Sequence, residues 1–456
     1  MSLIRPTLDT VTTIKEDGSR RFIHPADVHG RFTTLRNIAE ILLMAVYVGL
    51  PWIRINGNPA VFLDLEHRQL HLFGLTLAPQ DFWLGFFLIT GAGFAMFYIT
   101  AILGRVWCGW ACPQTVFLDF VRRVERWIEG DAVVRQRLDA SPWTPEKVIK
   151  RGLKNFLFAL FAVALAHVFL SYFVSLPGLY SMASHSPLQH WSAFLFVFLT
   201  AGALWFDFTW FREQFCIVMC PYGRLQSALI DDDSIVIGYD SKRGEPRGKA
   251  NTAGAGDCVD CRRCVQVCPT GIDIRQGLQM ECIACSSCID ACDEVMTKLN
   301  RKRGLVRYDS VKGLSGRKKR ILRPRILLYT LLMLAGTVVM AGALSTFRPV
   351  TVSLLRMTGS PYYLEEGTIR NQFLMRIINK RNKIEVFQIK VLDLPPGSKI
   401  TGMEEPIPVM ALSEQMRPLI VVVPQSEYHG SFSVRVLITA ADGNVSIEKA
   451  IPFLGP

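Results

Sequence analysis

The chain has 456 residues, enough for several domains. Hydrophobic residues make up 50%, charged residues 20%, and the mean hydropathy is +0.25, values that point away from an ordinary soluble domain and toward membrane spans joined to soluble parts. The formal charge of +12 admits two explanations, a nucleic-acid partner or the positive-inside bias of a membrane protein, and the placement of Lys and Arg excludes the first.

Residues 1–34 are polar, carry a basic cluster at Arg20, Arg21 and Arg31, and contain no apolar core of a cleavable signal peptide. The first apolar run, 41–53, reaches membrane length only if 35–40 joins it, with Glu40 near the headgroups. Residues 82–104 form a second run of 23 residues without a charge. A third, 155–176, is interrupted only by His167; a fourth, 191–211, has Asp207 close to its end; a fifth, 326–347, is again uncharged. The segment between the first two runs carries only Arg54 and Arg68, and 177–190 carries no Lys or Arg. By contrast 105–151 carries nine and 212–325 carries 21, including Arg317, Lys318, Lys319 and Arg320. The N-terminus and both basic loops are therefore expected in the cytosol and the tail outside, in the periplasm of a Gram-negative source. The basic excess is topological, so no nucleic-acid partner is expected.

The predicted organisation is a cytosolic segment 1–34, four spans within 35–211, a cytosolic loop 212–325, a fifth span 326–347 and an outer domain 348–456. The outer domain alternates short apolar runs with turns, most clearly at 384–394, 418–423, 431–439 and 445–452. A strand about every ten residues suggests an immunoglobulin-like β-sandwich, here without a disulfide because all twelve cysteines lie between 108 and 292. It contains nothing catalytic and is expected to contact a partner.

The most informative stretch lies in the basic loop, with its core at 250–300. Cys258, Cys261, Cys264 and Cys268 are followed by Pro269, and Cys282, Cys285, Cys288 and Cys292 by Asp293. Two C-x2-C-x2-C-x3-C runs are the pattern of a ferredoxin with two [4Fe–4S] clusters, in which the fourth cysteine of each run ligates the other cluster. The expected sets are Cys258, Cys261, Cys264 and Cys292 for one cluster, and Cys268, Cys282, Cys285 and Cys288 for the other. Zinc usually takes two C-x2-C knuckles, and a disulfide framework does not suit a loop expected in the cytosol.

A second cysteine pattern occurs twice at the inner ends of spans: Cys108-Gly-Trp-Ala-Cys112-Pro113 and Cys216-Ile-Val-Met-Cys220-Pro221. A spacing of four puts both thiols of a pair on one helix face, and the proline predicts a break after each pair. Two such pairs can present four thiolates to one ion, and soft thiolates select Cu(I), zinc or iron–sulfur clusters. Buried structural cysteines or a redox pair are the plainer alternatives. His167 is either a quinone or haem contact or a packed neutral histidine. Asp207 is expected to reach headgroups or pair with Arg212, and His185 and His190 to lie in a solvated outer loop. Trp52, Trp107, Trp110, Trp191, Trp205 and Trp210 read as interface belts.

With these motifs, the stretches Gly30-Arg31-Phe32, Pro51-Trp52-Ile-Arg-Ile-Asn56-Gly57, Pro79-Gln80-Asp81, Gly104-Arg105-Val-Trp107-Cys108 to Thr115, and Cys216 to Tyr222 resemble the FixG/CcoG (RdxA) family over nearly the whole chain. The resemblance implies five spans, a cytosolic dicluster loop and an outer sandwich. It also implies reduction of Cu(II) to Cu(I), with Cys108, Cys112, Cys216 and Cys220 as copper ligands, for assembly of a cbb3-type cytochrome oxidase in the bacterial inner membrane. The implied partners are copper, copper-handling and oxidase-assembly proteins, and membrane lipid. No flavin or nicotinamide fingerprint is present, so the electron donor is external and unidentified; homo-oligomerisation stays open. The alternative is a quinol-oxidising membrane ferredoxin that passes electrons to a partner reductase. A scaffold with purely structural clusters is the third class.

Overall fold

The computed structural model describes residues 22–66, 68–77, 81–250, 252–320, 322–345, 349–381 and 383–456. The Arg20–Arg21 pair, Pro79 and Gln80, and the last two residues of the fifth predicted run, Thr346 and Phe347, lie outside the described residues. The chain divides into two compact units, Met1–Ile53 with Gly85–Met340, and Arg54–Leu84 with Ala341–Pro456.

The helices used below are α1 (Arg31–Gly49), α2 (Phe82–Leu103), α3 (Val106–Trp110), α4 (Pro113–Glu129), α5 (Ala132–Ala140), α6 (Pro145–Leu170), α7 (Leu176–Ser184), α8 (Trp191–Phe206), α9 (Pro221–Leu229), α10 (Arg263–Gln266), α11 (Ser287–Lys298) and α12 (Pro324–Ser345). Two single π-turns, Asp207–Phe211 and Phe215–Met219, follow α8. Among the described residues, five helices are long and apolar enough to cross a membrane: α1, α2, α6, α8 with its first π-turn, and α12. This is a membrane protein.

Two spans differ from the expected bounds. The first starts ten residues earlier than the apolar run at 41, because its N-terminus is capped from a distance. Asp290 accepts the Phe32 N–H at 3.2 Å and the Thr33 N–H at 2.7 Å, with the Thr33 hydroxyl also at 2.7 Å. Gly30 is needed there, since a Cβ would fall inside the Asp290 carboxyl. Glu40 thus sits in mid-helix, not near an end, and is buried against Arg36 at 3.1 Å and Arg123. The third span starts at Pro145, ten residues early, because Thr144 caps the Lys147 N–H at 3.3 Å and proline suits the first helical position. Its basic first turns precede the apolar part, so hydropathy alone misses them.

Helix α4 lies beside these spans rather than crossing. Its Leu118 and Val121 pack on Phe158, Ala162 and Leu165 of α6 and on Phe208. In the dicluster segment, β1 (Val236–Tyr239) pairs antiparallel with β2 (Val306–Asp309), and Ile237, Ile274, Ile289, Met296 and Leu305 form its core.

The second unit is a sandwich of two antiparallel sheets. Its strands are β3 (Val350–Arg356), β4 (Tyr363–Glu365), β5 (Thr368–Asn379), β6 (Glu385–Leu392), β7 (Lys399–Thr401), β8 (Ile407–Val409), β9 (Glu414–Pro424), β10 (Phe432–Ala440) and β11 (Ser446–Phe453). One sheet has the order β7-β9-β5-β3, with β4 on β5; the other is β8-β6-β10-β11. Phe373, Phe387, Leu419, Val434, Val436 and Phe453 fill the space between them. The segment between the first two spans belongs to this unit: Gln69 donates to the Leu412 carbonyl at 2.8 Å and Lys380 pairs with Asp81 at 2.5 Å.

Removing the remote cap tests how α1 is started. Asp290→Ala is expected to cost about 1–2 kcal/mol. Hydrogen exchange should accelerate at the amides of residues 31–35 and stay unchanged in the sandwich.

Candidate metal centre

The two cysteine runs surround two cavities. One is lined by Cys258, Cys261, Cys264 and Cys292; the other by Cys268, Cys282, Cys285 and Cys288, with Cys264 on the wall between them. All twelve cysteines are free of disulfides. The runs also share a backbone device. Asp260 and Arg262 flank Cys261, and Ala284 and Ser286 flank Cys285, all four with left-handed φ between 52° and 62°. Each such non-glycine residue costs about 1–2 kcal/mol. Arg262 and Ser286 lead directly into α10 and α11, and a left-handed residue followed by right-handed ones gathers N–H groups into an anion-binding concavity. Cys264 and Cys288 lie in the first turns of those helices, where the dipole favours negative charge.

The thiols resist ionising by themselves. Burial pushes Cys264, Cys282 and Cys292 up to about 12 and raises Cys268 and Cys288, and neighbouring thiols add to the rise. Four-cysteine walls with inward-directed backbone dipoles and no disulfide fit a [4Fe–4S] cluster, whose irons hold the thiolates deprotonated.

The C-x3-C-P cysteines come together from two places. Burial pushes Cys108 up to about 11, against the hydrogen bond from Gln226; Cys112 is also raised by burial, against the backbone N–H groups of Gln114 and Thr115. Cys216 is raised by burial and then by Cys112, Cys108 and Cys220, so all four thiols lie within electrostatic reach of one another. Among the described residues, however, no three His, Cys, Asp or Glu donors gather tightly enough for a single metal ion.

The two pairs are not on continuous helix faces. Cys108 lies in α3 and Cys216 in the second π-turn, but Cys112 and Cys220 stand in extended backbone as the residues before α4 and α9. The break falls at the second cysteine of each pair, because a residue before proline is disfavoured in the α region, and Pro113 and Pro221 then open new helices.

Polar contacts cross-link the two arms. Gln114, two residues after Cys112, donates to both Asp207 oxygens at 2.9 and 2.7 Å and to the Arg212 carbonyl at 3.2 Å. In the other direction Gln226 donates to Cys108 Sγ at 3.1 Å. Asp207 is therefore buried against Gln114, and the Arg212 guanidinium goes instead to Glu125 at 2.9 Å. Glu125 also receives Arg135 at 3.1 Å and Lys154 at 3.3 Å. Burial raises its carboxyl, but Arg212, Lys154 and Arg135 outweigh that and hold it well below the usual carboxylate range.

The first arm touches the second cysteine run. A Cβ on Gly109 would stand 2.5 Å from the Ile283 carbonyl and 2.7 Å from Cys285 N, so only glycine allows this approach. Arg105 donates to the Met280 carbonyl and, at 2.7 Å, to the Gly223 carbonyl of the second arm. Trp110 donates to the Tyr308 hydroxyl at 3.0 Å, which donates to the Ala284 carbonyl at 2.7 Å; this tryptophan belongs to the contact, not to an interface belt. Sequence reasoning missed Gln114, Glu125, Gln226 and Asp290 as site residues. The only signal was position, since Gln114 directly follows Cys-Pro.

The sequence matches the 4Fe-4S dicluster domain family over residues 211–311, a 4Fe-4S binding domain family over 84–131, and the immunoglobulin-like fold at the C-terminus of FixG over 340–456. Protein RdxA of Cereibacter sphaeroides is 35% identical over 416 residues, covering 84% of this chain and 87% of that protein. Nitrogen fixation protein FixG of Rhizobium meliloti is 34% identical over 458 residues, 89% of this chain and 86% of that protein. Protein RdxB of Cereibacter sphaeroides is 35% identical over 451 residues, 94% of this chain and 91% of that protein. These matches support two [4Fe–4S] clusters.

Glu125→Gln leaves three buried cations short of their carboxylate and is expected to cost about 3–5 kcal/mol. Because the native carboxyl is depressed, its stabilisation is complete above the unfolded value of about 4.3 and is lost as the pH falls below it. Thermal unfolding of the protein in detergent should show that acid dependence, and the Gln variant should flatten it.

Proposed function

The chain belongs to the FixG/RdxA family of membrane iron–sulfur electron-transport proteins, and from that premise we propose that it reduces Cu(II) to Cu(I) for assembly of a cbb3-type cytochrome oxidase. Cys258, Cys261, Cys264 and Cys292 hold one [4Fe–4S] cluster, and Cys268, Cys282, Cys285 and Cys288 the other. When bound, these clusters supply one-electron storage. Cys108, Cys112, Cys216 and Cys220 receive copper, the substrate.

The observation that carries this reading is the seat of Gly109 on residues 283–285, which brings the residue after Cys108 into backbone contact with Cys285. That contact sets the run of residues that would hold the second cluster directly against the copper thiols, with packed protein and no intervening domain between them. Each electron converts one Cu(II) to one Cu(I). Cu(II) favours imidazole and tetragonal ligand sets, whereas thiolates favour Cu(I), so the thiols hold the product better than the substrate. Thiols of both pairs receive the copper, since Cys216 lies within electrostatic reach of Cys108, Cys112 and Cys220. The raised thiols must lose protons to bind it, so Cu(I) affinity rises with pH.

The Lys and Arg of 105–151 and 212–325 support a cytosolic position for this chemistry and for residues 212–325, with residues 348–456 in the periplasm of the inner membrane. The sandwich there is the surface for copper-handling and oxidase-assembly partners.

Full-length protein, purified anaerobically and reduced with dithionite, should be reoxidised by Cu(II) with stoichiometric Cu(I) captured by a chelator. Clusters that stay reduced in excess Cu(II) would remove the cupric-reductase reading. The fourfold variant Cys108→Ser, Cys112→Ser, Cys216→Ser, Cys220→Ser should keep its iron and acid-labile sulfide while losing bound copper; a loss of iron would instead give these thiols to a cluster. Gly109→Val should overpack the contact by about 1–3 kcal/mol and slow reoxidation by Cu(II).

A further inference from the structure

A cavity of about 520 Å³ lies between α6, α7 and α8, and no part of the metal centre uses it. That volume is typical of a small-molecule site. Its walls are apolar except at one end, where His167, His185 and His190 line it. These are the last turn of α6, the residue after α7 and the residue before α8. From His167 the cavity runs to Ala159 on α6, a length of about 12 Å at 1.5 Å per residue. Trp205 lines the cavity, two residues before the Asp207 carboxylate that grips Gln114. Val163, Phe194, Phe198 and Trp205 are exposed on spanning helices, so the cavity opens toward lipid.

Two of the histidines are set in one tautomer. His167 Nδ1 lies 2.8 Å from the Val163 carbonyl and His185 Nδ1 2.6 Å from the Ser181 carbonyl. A carbonyl only accepts, so in the neutral ring Nδ1 carries the hydrogen and Nε2 is left as an acceptor. What fits is a lipid-soluble molecule of apolar body with hydroxyl donors at one end, in a chain that carries one-electron centres and needs a reductant.

We propose that this cavity binds a membrane quinol and that the quinol is the electron source of the clusters. His167 and His185 accept its hydroxyl hydrogens through Nε2. Oxidation breaks two O–H bonds and yields the quinone, two protons and two electrons. The protons go to the imidazoles, and the two [4Fe–4S] clusters that the cysteine-lined cavities would hold would take up one electron each. This rests on the electron-carrier part of the proposed function and is independent of copper.

Full-length protein with oxidised clusters is mixed anaerobically with menadiol, and the cluster absorbance and the electron paramagnetic resonance of reduced clusters are followed. A photoreactive azidoquinone is applied in parallel and the labelled peptides are mapped. We expect menadiol to reduce the clusters and the label to fall within residues 159–205. His185→Phe, in an exposed loop, should slow reduction by about a hundredfold, the lower end of what a positioned proton acceptor contributes. Gly202→Leu should reduce labelling at least about tenfold, since filling a pocket removes the apolar contacts that hold the ring. A Cβ at Gly202 meets nothing within 4 Å, so the added side chain starts into the open space of the cavity. Equal reduction by dithionite certifies each variant as folded and loaded. Clusters reduced by dithionite but not by menadiol, label elsewhere, or variants that behave as wild type would overturn the proposal. Reoxidation of the same dithionite-reduced sample by Cu(II) judges the copper reading separately.

Discussion

Both thiol arms hang on one buried carboxylate. Glu125 lies on α4, the helix that begins directly after Cys112, and it binds Arg212, four residues before Cys216. Lys154 ties the same carboxylate to α6, and Arg135 ties it to α5. Ion pairs this deep usually gain little net stability over apolar packing, because each charge must leave water. Their value here is registry. An apolar replacement could hold α4 against α6, but it would not dictate which turn of α4 meets the end of the fourth span. The π-turns on either side of Arg212 show how far the backbone bends to meet that demand.

With the arms in register, each supplies a ligand to the other. Gln114 crosses to Asp207 and Gln226 crosses to Cys108, so neither arm's thiols keep their surroundings if the other moves. The close approach at Gly109 extends the same solidarity to residues 283–285. A set of thiols that are costly to ionise, pressed against a second such set, describes a protein whose centre is complete only when positive charge fills it.

The cysteine runs and the span count were readable because their determinants are local. A cube fixes the spacing of neighbouring ligands, and lipid fixes the length of an apolar run. What could not be read depends on partners distant in sequence. The start of α1 at Arg31 needs Asp290, and the burial of Asp207 needs Gln114. Strand β5 escaped notice although it is the longest of the sandwich, because its inward alternation is broken by Asn371 and Asn379. Both asparagines are buried and satisfied by backbone: Asn371 with Leu454 at 2.7 and 3.1 Å, Asn379 with the Lys383 carbonyl at 2.8 Å. A pattern search counts them as solvent-facing. The position of Cys112 and Cys220 was a misjudged local rule: the proline acts on the residue before it, not on the one after.

The cap on α1 also has a bearing on biogenesis. Thr33 and Asp290 are separated by 257 residues, so at 5–20 residues per second the ribosome adds the cap roughly 10–50 s after it has made the helix that needs it. Until then the first turn of the first span has lost its designated acceptor. That acceptor is on α11, whose own first turn carries Cys288, so the beginning of the chain is finished only when the iron-binding segment has taken shape. A chain still lacking residues 287–298 therefore carries a first span whose opening turn has no acceptor from Asp290.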